Sequence, residues 1–247
     1  MRPLFAALRF LTILPVPESW TGGEKGLERC LPFFPVAGLL IGLSAVLLDN
    51  LFAGLLPPLP GAVLIVAFLI AVSGGFHMDG LADTADGFLS ARPKNEILRI
   101  MKDSRTGPMG VIAVCTVILL KTALMGSMHP DLRLQALVLM PLAGRTALVF
   151  MITVLPYARP EGGLATALLR RRSRIDMLWA AAFLFLAGWT AAGVKGLAVA
   201  ACALAAAALF AFYSRRKIGG FTGDTLGAAC ELTETVPALV MIILQGV

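Results

Sequence analysis

Long apolar stretches alternate with short polar segments along the whole chain. Seven of these stretches approach or reach the length of about 20 residues that an α-helix needs to cross a bilayer. The pattern predicts an all-α fold, a polytopic transmembrane helical bundle with about seven spans, forming a single integral membrane domain over residues 1–247. The predicted spans lie at about 31–56, 58–76, 109–128, 134–156, 177–193, 196–213 and 235–247, the last being the shortest.

The positions of the basic residues predict the orientation of this bundle. If residue 1 starts in the cytoplasm, segments 1–30, 77–108, 157–176 and 214–234 are cytoplasmic and hold 17 of the 21 Lys and Arg residues. Because an excess of Lys and Arg marks the cytoplasmic side of membrane proteins, we expect a cytoplasmic N-terminus. Segments 77–108 and 214–234 also carry clusters of acidic residues, which makes them the candidate catalytic segments.

Composition excludes several other classes of protein. Hydrophobic residues make up 58% of the chain, charged residues 15%, and the mean hydropathy is +0.85, which is too apolar for a soluble domain. The formal net charge of +6 does not indicate nucleic-acid binding, because the basic clusters stand between apolar runs and lack interleaved aromatic residues. The cysteines form no CxxC pair, so we expect neither a zinc site nor a disulfide framework.

The first acidic segment is GGFHMDGLADTADGF, residues 74–88, at the end of the second predicted span. Asp79, Asp83 and Asp86 follow an i, i+4, i+7 spacing, which on a helix confines them to an arc of about 60°. Three like charges on one face repel unless a cation binds there, and hard oxygen ligands suit Mg²⁺. These residues are therefore candidate metal ligands and catalytic carboxylates, and the alternative is a solvated acidic turn after a membrane helix.

The second acidic segment is GGFTGDTLGAACELTETV, residues 219–236, placed just before the last predicted span. Asp224, Glu231 and Glu234 lie within about 80° of arc on a helix. All three are candidate metal ligands, and Asp224 and Glu231 are also candidate catalytic residues. Both acidic faces lie on one side of the membrane in the predicted topology, so together they suit one Mg²⁺ or a pair of metal ions. The glycines before Asp224 are a weak phosphate-loop signal, and they suit a flexible linker equally well.

Residues 92–110 have the pattern of an amphipathic helix that ends in a turn with Gly and Pro. Lys102, Asp103 and Arg105 stand together at its end and are candidate substrate-binding residues. Lys and Arg beside a carboxylate suit a pyrophosphate, which Arg binds through two parallel hydrogen bonds. The other basic residues of this segment suit anionic lipid headgroups as well as substrate.

Three charged or titratable residues lie in or beside the apolar stretches. Arg145 falls within the fourth predicted span, where a guanidinium needs a polar partner such as a substrate phosphate or an acidic face. Lys121 lies near the far end of the third span, and we expect its side chain to reach the membrane surface there. His77 precedes Asp79 by two residues and is, with Arg145, a further candidate for substrate binding.

Five segments carry a recognisable pattern, namely FLTILPVP (10–17), FFPVAGLLIG (33–42), GGFHMDGLADTADGF (74–88), MKDSRTGPMG (101–110) and GGFTGDTLGAACELTET (219–235). In these segments the chain resembles the cobalamin synthase family, the adenosylcobinamide-GDP ribazoletransferases. The resemblance implies a Mg²⁺-dependent enzyme of the cytoplasmic (inner) membrane of a bacterium or archaeon, with its active site facing the cytoplasm. It implies that α-ribazole, or its 5′-phosphate, attacks adenosylcobinamide-GDP with release of GMP, and that adenosylcobalamin or its 5′-phosphate is formed.

The residues by themselves leave other functions open. A CDP-alcohol phosphotransferase or a membrane prenyltransferase also uses aspartate-rich faces and Mg²⁺, although with other aspartate spacings. A cation transporter would use the acids as an ion pathway, but we expect such acids near the middle of the bilayer rather than at one edge. The partners expected are the two substrates and the lipid bilayer, without nucleic acid, and a homo-oligomer is left open.

Overall fold

The computed structural model describes residues 1–159 and 166–246, and the regular structure within these ranges is helical. Its bundle confirms the all-α, polytopic fold class. Short 3₁₀ turns at Leu31–Phe33 and Leu244–Gly246 accompany the helices. The α-helices are α1 (Arg2–Leu11), α2 (Glu18–Thr21), α3 (Gly23–Glu28), α4 (Phe34–Ala53), α5 (Pro58–Val72), α6 (Phe76–Phe88), α7 (Lys94–Ile100), α8 (Pro108–Ser127), α9 (Pro130–Val154), α10 (Thr166–Leu169), α11 (Arg174–Ile218) and α12 (Gly223–Ile243).

Five of the described helices are long and apolar enough to cross a membrane, namely α4, α8, α9, α11 and α12. The count rises to six if α5 and α6, which meet at an angle of 88°, form one bent span. Each of the seven predicted apolar stretches lies largely on one of these helices, and residue 247, where the last stretch ends, is outside the described residues. The helix that contains the last predicted span, α12, begins earlier, at Gly223, and runs without interruption to Ile243.

The longest helix, α11, is interrupted near its middle. Ala192 and Gly193 leave the helical conformation, and Gly193 adopts a φ of 56°, which favours glycine. A Cβ atom on Gly188 would lie 2.5 Å from the carbonyl oxygen of Gly196, so the chain folds back on itself around the break. The two halves of α11 correspond to the apolar stretches predicted at 177–193 and 196–213.

The central helix of the bundle is α9, which packs against α4, α11 and α12. Small residues allow these helices to approach closely, as in other membrane bundles. A Cβ on Gly42 of α4 would come within 2.8 Å of the Leu137 carbonyl oxygen of α9. On another face of α9, a Cβ on Gly144 would come within 3.0 Å of the carbonyl oxygen of Cys230 in α12. These contacts fix where α12, and the acids on it, lie in the bundle.

The four segments predicted to be cytoplasmic meet at one end of the bundle, called here the polar end. The contacts that join them include the ion pair of Arg170 with Glu24, the ion pair of Arg159 with Asp224, and the hydrogen bond from Lys217 Nζ to the Phe88 carbonyl oxygen. At the opposite end, Arg133 pairs with Asp49 and Lys195 donates to the Leu244 carbonyl oxygen.

A sharp turn separates α5 from α6 at the polar end. Gly74 and Gly75 have φ values of 64° and 76°, which end α5 and turn the chain by 88° into α6. Ile13 supports this turn, since its amide N–H donates to the Val72 carbonyl oxygen at 2.9 Å. With 13 residues, α6 is too short to cross a bilayer by itself, and it lies at the polar end of the bundle.

Candidate active site

The two acidic segments come together because α6 packs directly against the first half of α12. A Cβ on Gly80 of α6 would lie 2.7 Å from the carbonyl oxygen of Asp224. A Cβ on Gly227 of α12 would lie 2.8 Å from the carbonyl oxygen of His77. The contact therefore depends on a glycine from each helix, and it brings Asp224 to the face of α6 that carries its aspartates.

Asp79, Asp83 and Asp224 form the acidic centre of this end of the bundle. Asp79 is exposed, while Asp83 and Asp224 are half-buried. Burial, followed by the negative charges of Asp79, Asp224 and Asp86, raises the pKa of the Asp83 carboxyl to about 7. The neighbouring residues therefore do not neutralise all of the negative charge of this centre. The remaining charge suits a bound cation or the hydrogen-bond donors of a substrate.

Arg159 forms an ion pair with this centre, and sequence reasoning did not select it. Its Nη2 atom donates to Asp224 Oδ2 at 2.6 Å and reaches the Met101 carbonyl oxygen at 3.5 Å. Arg159 lies in the segment after α9, where Tyr157 forms an isolated bridge with Phe221 just before α12. Its position in a basic loop was visible in the sequence, but its pairing with Asp224 depends on tertiary packing.

Asp86 has a different role from its two neighbours on α6. Its carboxylate accepts hydrogen bonds from the backbone N–H groups of Gly107 at 2.6 Å and Gly110 at 2.8 Å. Gly107 immediately precedes α8 and Gly110 lies in its first turn, where the N–H groups have no partner within the helix. Asp86 therefore caps α8 and joins the turn before it to the acidic centre.

Glu231 and Glu234 lie inside the bundle, about two and three turns further along α12 than Asp224. Lys121 Nζ donates to Glu231 Oε2 at 2.7 Å and to Glu234 Oε1 at 2.9 Å, and Arg145 pairs with Glu234. All four side chains are buried. Asp224 thus stands with the α6 aspartates, whereas the two glutamates are neutralised by cations of α8 and α9.

This buried cluster corrects the expectation for Lys121. Its side chain was expected to reach the far membrane surface, but it is only 1% exposed and points to α12. The expectation was wrong because the depth of a residue along its own helix does not show which neighbouring helix it faces. Arg145 has the kind of partner expected for it, an acidic residue of the second segment.

His77 is buried beside the acidic centre, and neither ring nitrogen has a hydrogen-bond partner. Its ring lies against that of Phe76, with 4.0 Å between the ring centroids. A buried imidazole without a partner is energetically unfavourable, so a ligand group that bonds to it would be stabilised.

Lys102, Asp103 and Arg105 lie on the exposed turn between α7 and α8. The predicted helix over 92–110 is shorter in the structure, where α7 covers only Lys94–Ile100. Arg105 binds both carboxylate oxygens of Asp103, at 3.0 and 2.8 Å, and lowers the pKa of that carboxyl to about 2. This ion pair stands in solvent, outside the residues that line the cavity described next.

A cavity of about 560 Å³ opens between α1, α6 and α12, called here the central cavity. Four charged residues of the described ranges line it, the acidic Asp79 and Asp224 and the basic Arg9 and Arg159. His77 also lines it. The remaining wall includes four aromatic side chains, those of Phe10, Phe34, Phe76 and Tyr157. Such a cavity suits a ligand with both phosphate groups and apolar surface.

The carboxylates suit a metal ion that substrate oxygens help to bind. Among the described residues, no three His, Cys, Asp or Glu side chains already stand close enough to hold an ion by themselves. Mg²⁺ sites in phosphoryl-transfer enzymes commonly use one or two carboxylates together with substrate phosphates and water. The oxygen donors of Asp79, Asp83 and Asp224, with their excess negative charge, fit that kind of site.

The fold and this site define a multi-pass α-helical membrane protein with an acidic, arginine-lined cavity at one end of its bundle. Comparison with known families is specific: the family model described as cobalamin-5-phosphate synthase matches residues 3–242. The chain belongs to this family and is thus an enzyme, a transferase of cobalamin biosynthesis.

Similar proteins cover nearly the whole chain. An adenosylcobinamide-GDP ribazoletransferase of Geotalea daltonii is 33% identical over 246 residues, covering 100% of this chain and 99% of the relative. A protein of the same name from Desulforamulus reducens is 37% identical over 240 residues, with 97% and 95% covered. One from Roseiflexus sp. is 40% identical over 238 residues, with 95% and 87% covered. No solved structure matches the chain.

Proposed function

We propose that the chain is an adenosylcobinamide-GDP ribazoletransferase. In this reaction a ribose hydroxyl of α-ribazole, or of its 5′-phosphate, attacks the cobinamide-linked phosphorus of adenosylcobinamide-GDP. GMP leaves, and adenosylcobalamin or its 5′-phosphate is formed. The names of the relatives support the substrates. The observation that carries the proposal is the convergence of Asp79, Asp83 and Asp224 with Arg159 beside one cavity.

The arginines of the central cavity bind the pyrophosphate of adenosylcobinamide-GDP. Arg9 and Arg159 both line the cavity, and a guanidinium presents two parallel N–H donors to phosphate oxygens. Arg159 is already oriented by its hydrogen bond to Asp224. On the exposed turn outside, Lys102 and Arg105 add positive charge that attracts the anionic substrate to this end of the bundle.

The aspartates hold the divalent cation and accept the proton of the attacking hydroxyl. Asp79, Asp83 and Asp224 would hold Mg²⁺ together with oxygens of the substrate pyrophosphate. When bound, Mg²⁺ supplies neutralisation of the charge on the pyrophosphate and on the departing GMP. A carboxylate of this group orients the ribose hydroxyl and takes its proton.

The buried glutamates position the site without entering it. Lys121 and Arg145 neutralise Glu231 and Glu234 and tie α8 and α9 to α12. We assign the metal to the aspartates because the two glutamates already have cationic partners. The earlier alternatives of a CDP-alcohol phosphotransferase, a prenyltransferase and a cation transporter do not agree with membership of a cobalamin-biosynthesis family.

We also propose that the polar end faces the cytoplasm, in the cytoplasmic membrane of a bacterium or archaeon. The basic residues support this orientation, since segments at the polar end hold 17 of the 21 Lys and Arg residues. With this orientation the nucleotide-linked substrate and the ribazole reach the cavity from the cytoplasm, and GMP returns to it.

Release of GMP by the purified protein in liposomes tests this proposal. With adenosylcobinamide-GDP, α-ribazole and Mg²⁺, we expect steady GMP release that stops when EDTA is in excess. Asp83→Asn should lower the rate at least about 10²-fold, the scale of losing one electrostatic group of an active site. Asp131→Asn, at the opposite end of the bundle, is the matched control and should keep the wild-type rate. Full activity with EDTA, or in Asp83→Asn, would overturn the proposed metal role.

A further inference from the structure

A second recess lies on the other side of Asp79, between α6 and α8. We call it the lateral groove, and it has a volume of about 660 Å³. Phe76 and Asp79 line both this groove and the central cavity. The two spaces therefore flank a single carboxylate, a geometry that suits a reaction joining two separately bound molecules.

The two spaces differ sharply in charge. The central cavity contains Arg9 and Arg159. Among the described residues that line the lateral groove, Asp79 is the only charged one, and Thr106 is a further polar residue near it. The rest of the lining is glycine or apolar, with Val111 and Val114 on α8. A pyrophosphate is therefore stabilised in the central cavity, whereas the groove favours a flat, apolar ring that bears a hydroxylated sugar.

Resting on the proposed function, we infer that the lateral groove is the binding site of the nucleoside substrate, α-ribazole. Its benzimidazole ring lies against the α8 wall formed by Val111 and Val114, and its ribose lies at the polar end beside Thr106 and Asp79. Adenosylcobinamide-GDP occupies the central cavity, so the attacking hydroxyl and the phosphorus meet where the two spaces share Asp79.

This arrangement brings the two reacting groups together beside Asp79. The ribose oxygen forms a bond to the cobinamide-linked phosphorus while the bond from that phosphorus to the bridging oxygen breaks. The electron pair of the broken bond stays on the bridging oxygen, which leaves as part of GMP. The proton of the hydroxyl is released to solvent. An in-line displacement needs the nucleophile and the leaving group on opposite sides of the phosphorus, so the ribose reaches the phosphorus from the groove while GMP leaves within the central cavity.

Steady-state kinetics with both substrates varied separates this inference from the proposed function. Cys115 lines the groove and is exposed, so Cys115→Trp fills the groove without crowding a buried core. We expect its KM for α-ribazole to rise about tenfold or more, the scale of a steric change in a substrate pocket, with an unchanged KM for adenosylcobinamide-GDP. Ile112→Trp, on an exposed position of α8 outside the groove lining, is the matched control.

The reciprocal variant is Arg9→Gln, which should raise the KM for adenosylcobinamide-GDP and leave that for α-ribazole unchanged. If Cys115→Trp instead raises the KM for adenosylcobinamide-GDP, or leaves both KM values unchanged, the assignment of the groove is wrong. Wild-type protein that releases no GMP from the two substrates would overturn the proposed function itself. The two failures are thus distinguished by whether wild-type activity is present.

Thiol labelling tests the groove with its native residues. In a Cys202→Ser background, Cys115 is the exposed cysteine, because Cys30 and Cys230 are buried. We expect α-ribazole alone to slow modification of Cys115 by a maleimide in detergent, and adenosylcobinamide-GDP alone to leave the rate unchanged. Protection by adenosylcobinamide-GDP alone, or no protection by α-ribazole, would overturn the inference.

Discussion

The backbone of Asp224 lies directly against Gly80, so that a Cβ on Gly80 would come within 2.7 Å of the Asp224 carbonyl oxygen. This contact joins helices whose acidic residues are separated by more than half of the chain. It holds the Asp224 carboxylate, with its partner Arg159, beside Asp79 and Asp83. The geometry of the proposed site therefore depends on a glycine that carries no functional group.

Replacing Gly80 with alanine should impair catalysis because the added methyl group disturbs the packing of α6 against α12. In Gly80→Ala the new methyl group meets backbone atoms, so α6 and α12 must move apart. A displacement of about 1 Å at a reacting centre lowers the rate about 10²-fold, and we expect a loss of that order in GMP release. Gly54→Ala is the control, since the nearest atom to its Cβ would be 3.9 Å away. Both variants should elute as monodisperse protein, and wild-type activity in Gly80→Ala would contradict the proposed packing.

Asp86 and Asp83 should respond differently to the same substitution. Asp86→Asn loses the charge that caps α8 but keeps an oxygen acceptor for Gly107 or Gly110. We expect it to lower the free energy of unfolding by about 1 kcal/mol, as for other helix caps. Its rate of GMP release, measured after confirming the folded fraction, should stay well above that of Asp83→Asn. Equal rates in the two variants would show that Asp86 acts in the reaction and not only as a cap.

The buried cluster around Lys121 should contribute to stability. Lys121→Met leaves Glu231 and part of Glu234 without their cation inside the bundle. Removal of one partner of a buried pair costs about 3–5 kcal/mol, so thermal unfolding in detergent should begin at a clearly lower temperature. Adding Glu231→Gln to Lys121→Met should restore part of the loss because it removes the unpaired charge.

A surface ion pair provides the comparison for that measurement. Arg99→Gln breaks an exposed pair with Glu96, which should change the free energy of unfolding by about 1 kcal/mol or less. If Lys121→Met unfolds at the wild-type temperature, the pairing of Lys121 with the glutamates would be contradicted.

Arg159 should matter for substrate binding and for turnover. Arg159→Gln removes the charge beside Asp224 and one of the two arginines that line the central cavity. We expect kcat/KM for adenosylcobinamide-GDP to fall about 10²-fold, with partial recovery in Arg159→Lys, which keeps the charge but not the paired donors. Steady-state GMP release measures both, and an unchanged kcat/KM in Arg159→Gln would remove Arg159 from the proposed site.

Much of the acidic face was predictable because it depends on the spacing of residues along a single helix. The spacing of Asp79, Asp83 and Asp86 predicted that they lie on one face of a helix, and all three lie on helix α6. The distribution of basic residues predicted that the two acidic segments lie together, and they do. The roles of single side chains were less predictable, since the cap formed by Asp86 and the pairing of Arg159 each require contacts between distant segments.

The interior of the bundle was the least predictable part. Hydropathy placed the start of the last span near residue 235, because Glu231 and Glu234 lower the average over that stretch. In the structure these charges are compatible with a buried helix because Lys121 and Arg145 neutralise them. Such compensation between helices cannot be derived from the pattern along any one of them.

Binding of Mn²⁺, used as a spectroscopic substitute for Mg²⁺, tests most directly whether the two acidic segments share one cation. Titrations followed by EPR would use the purified protein with adenosylcobinamide-GDP present and α-ribazole absent. We expect Asp83→Asn and Asp224→Asn each to lower the affinity about tenfold or more, while Asp131→Asn binds like the wild type. Wild-type affinity in either Asp83→Asn or Asp224→Asn would contradict a cation held between α6 and α12.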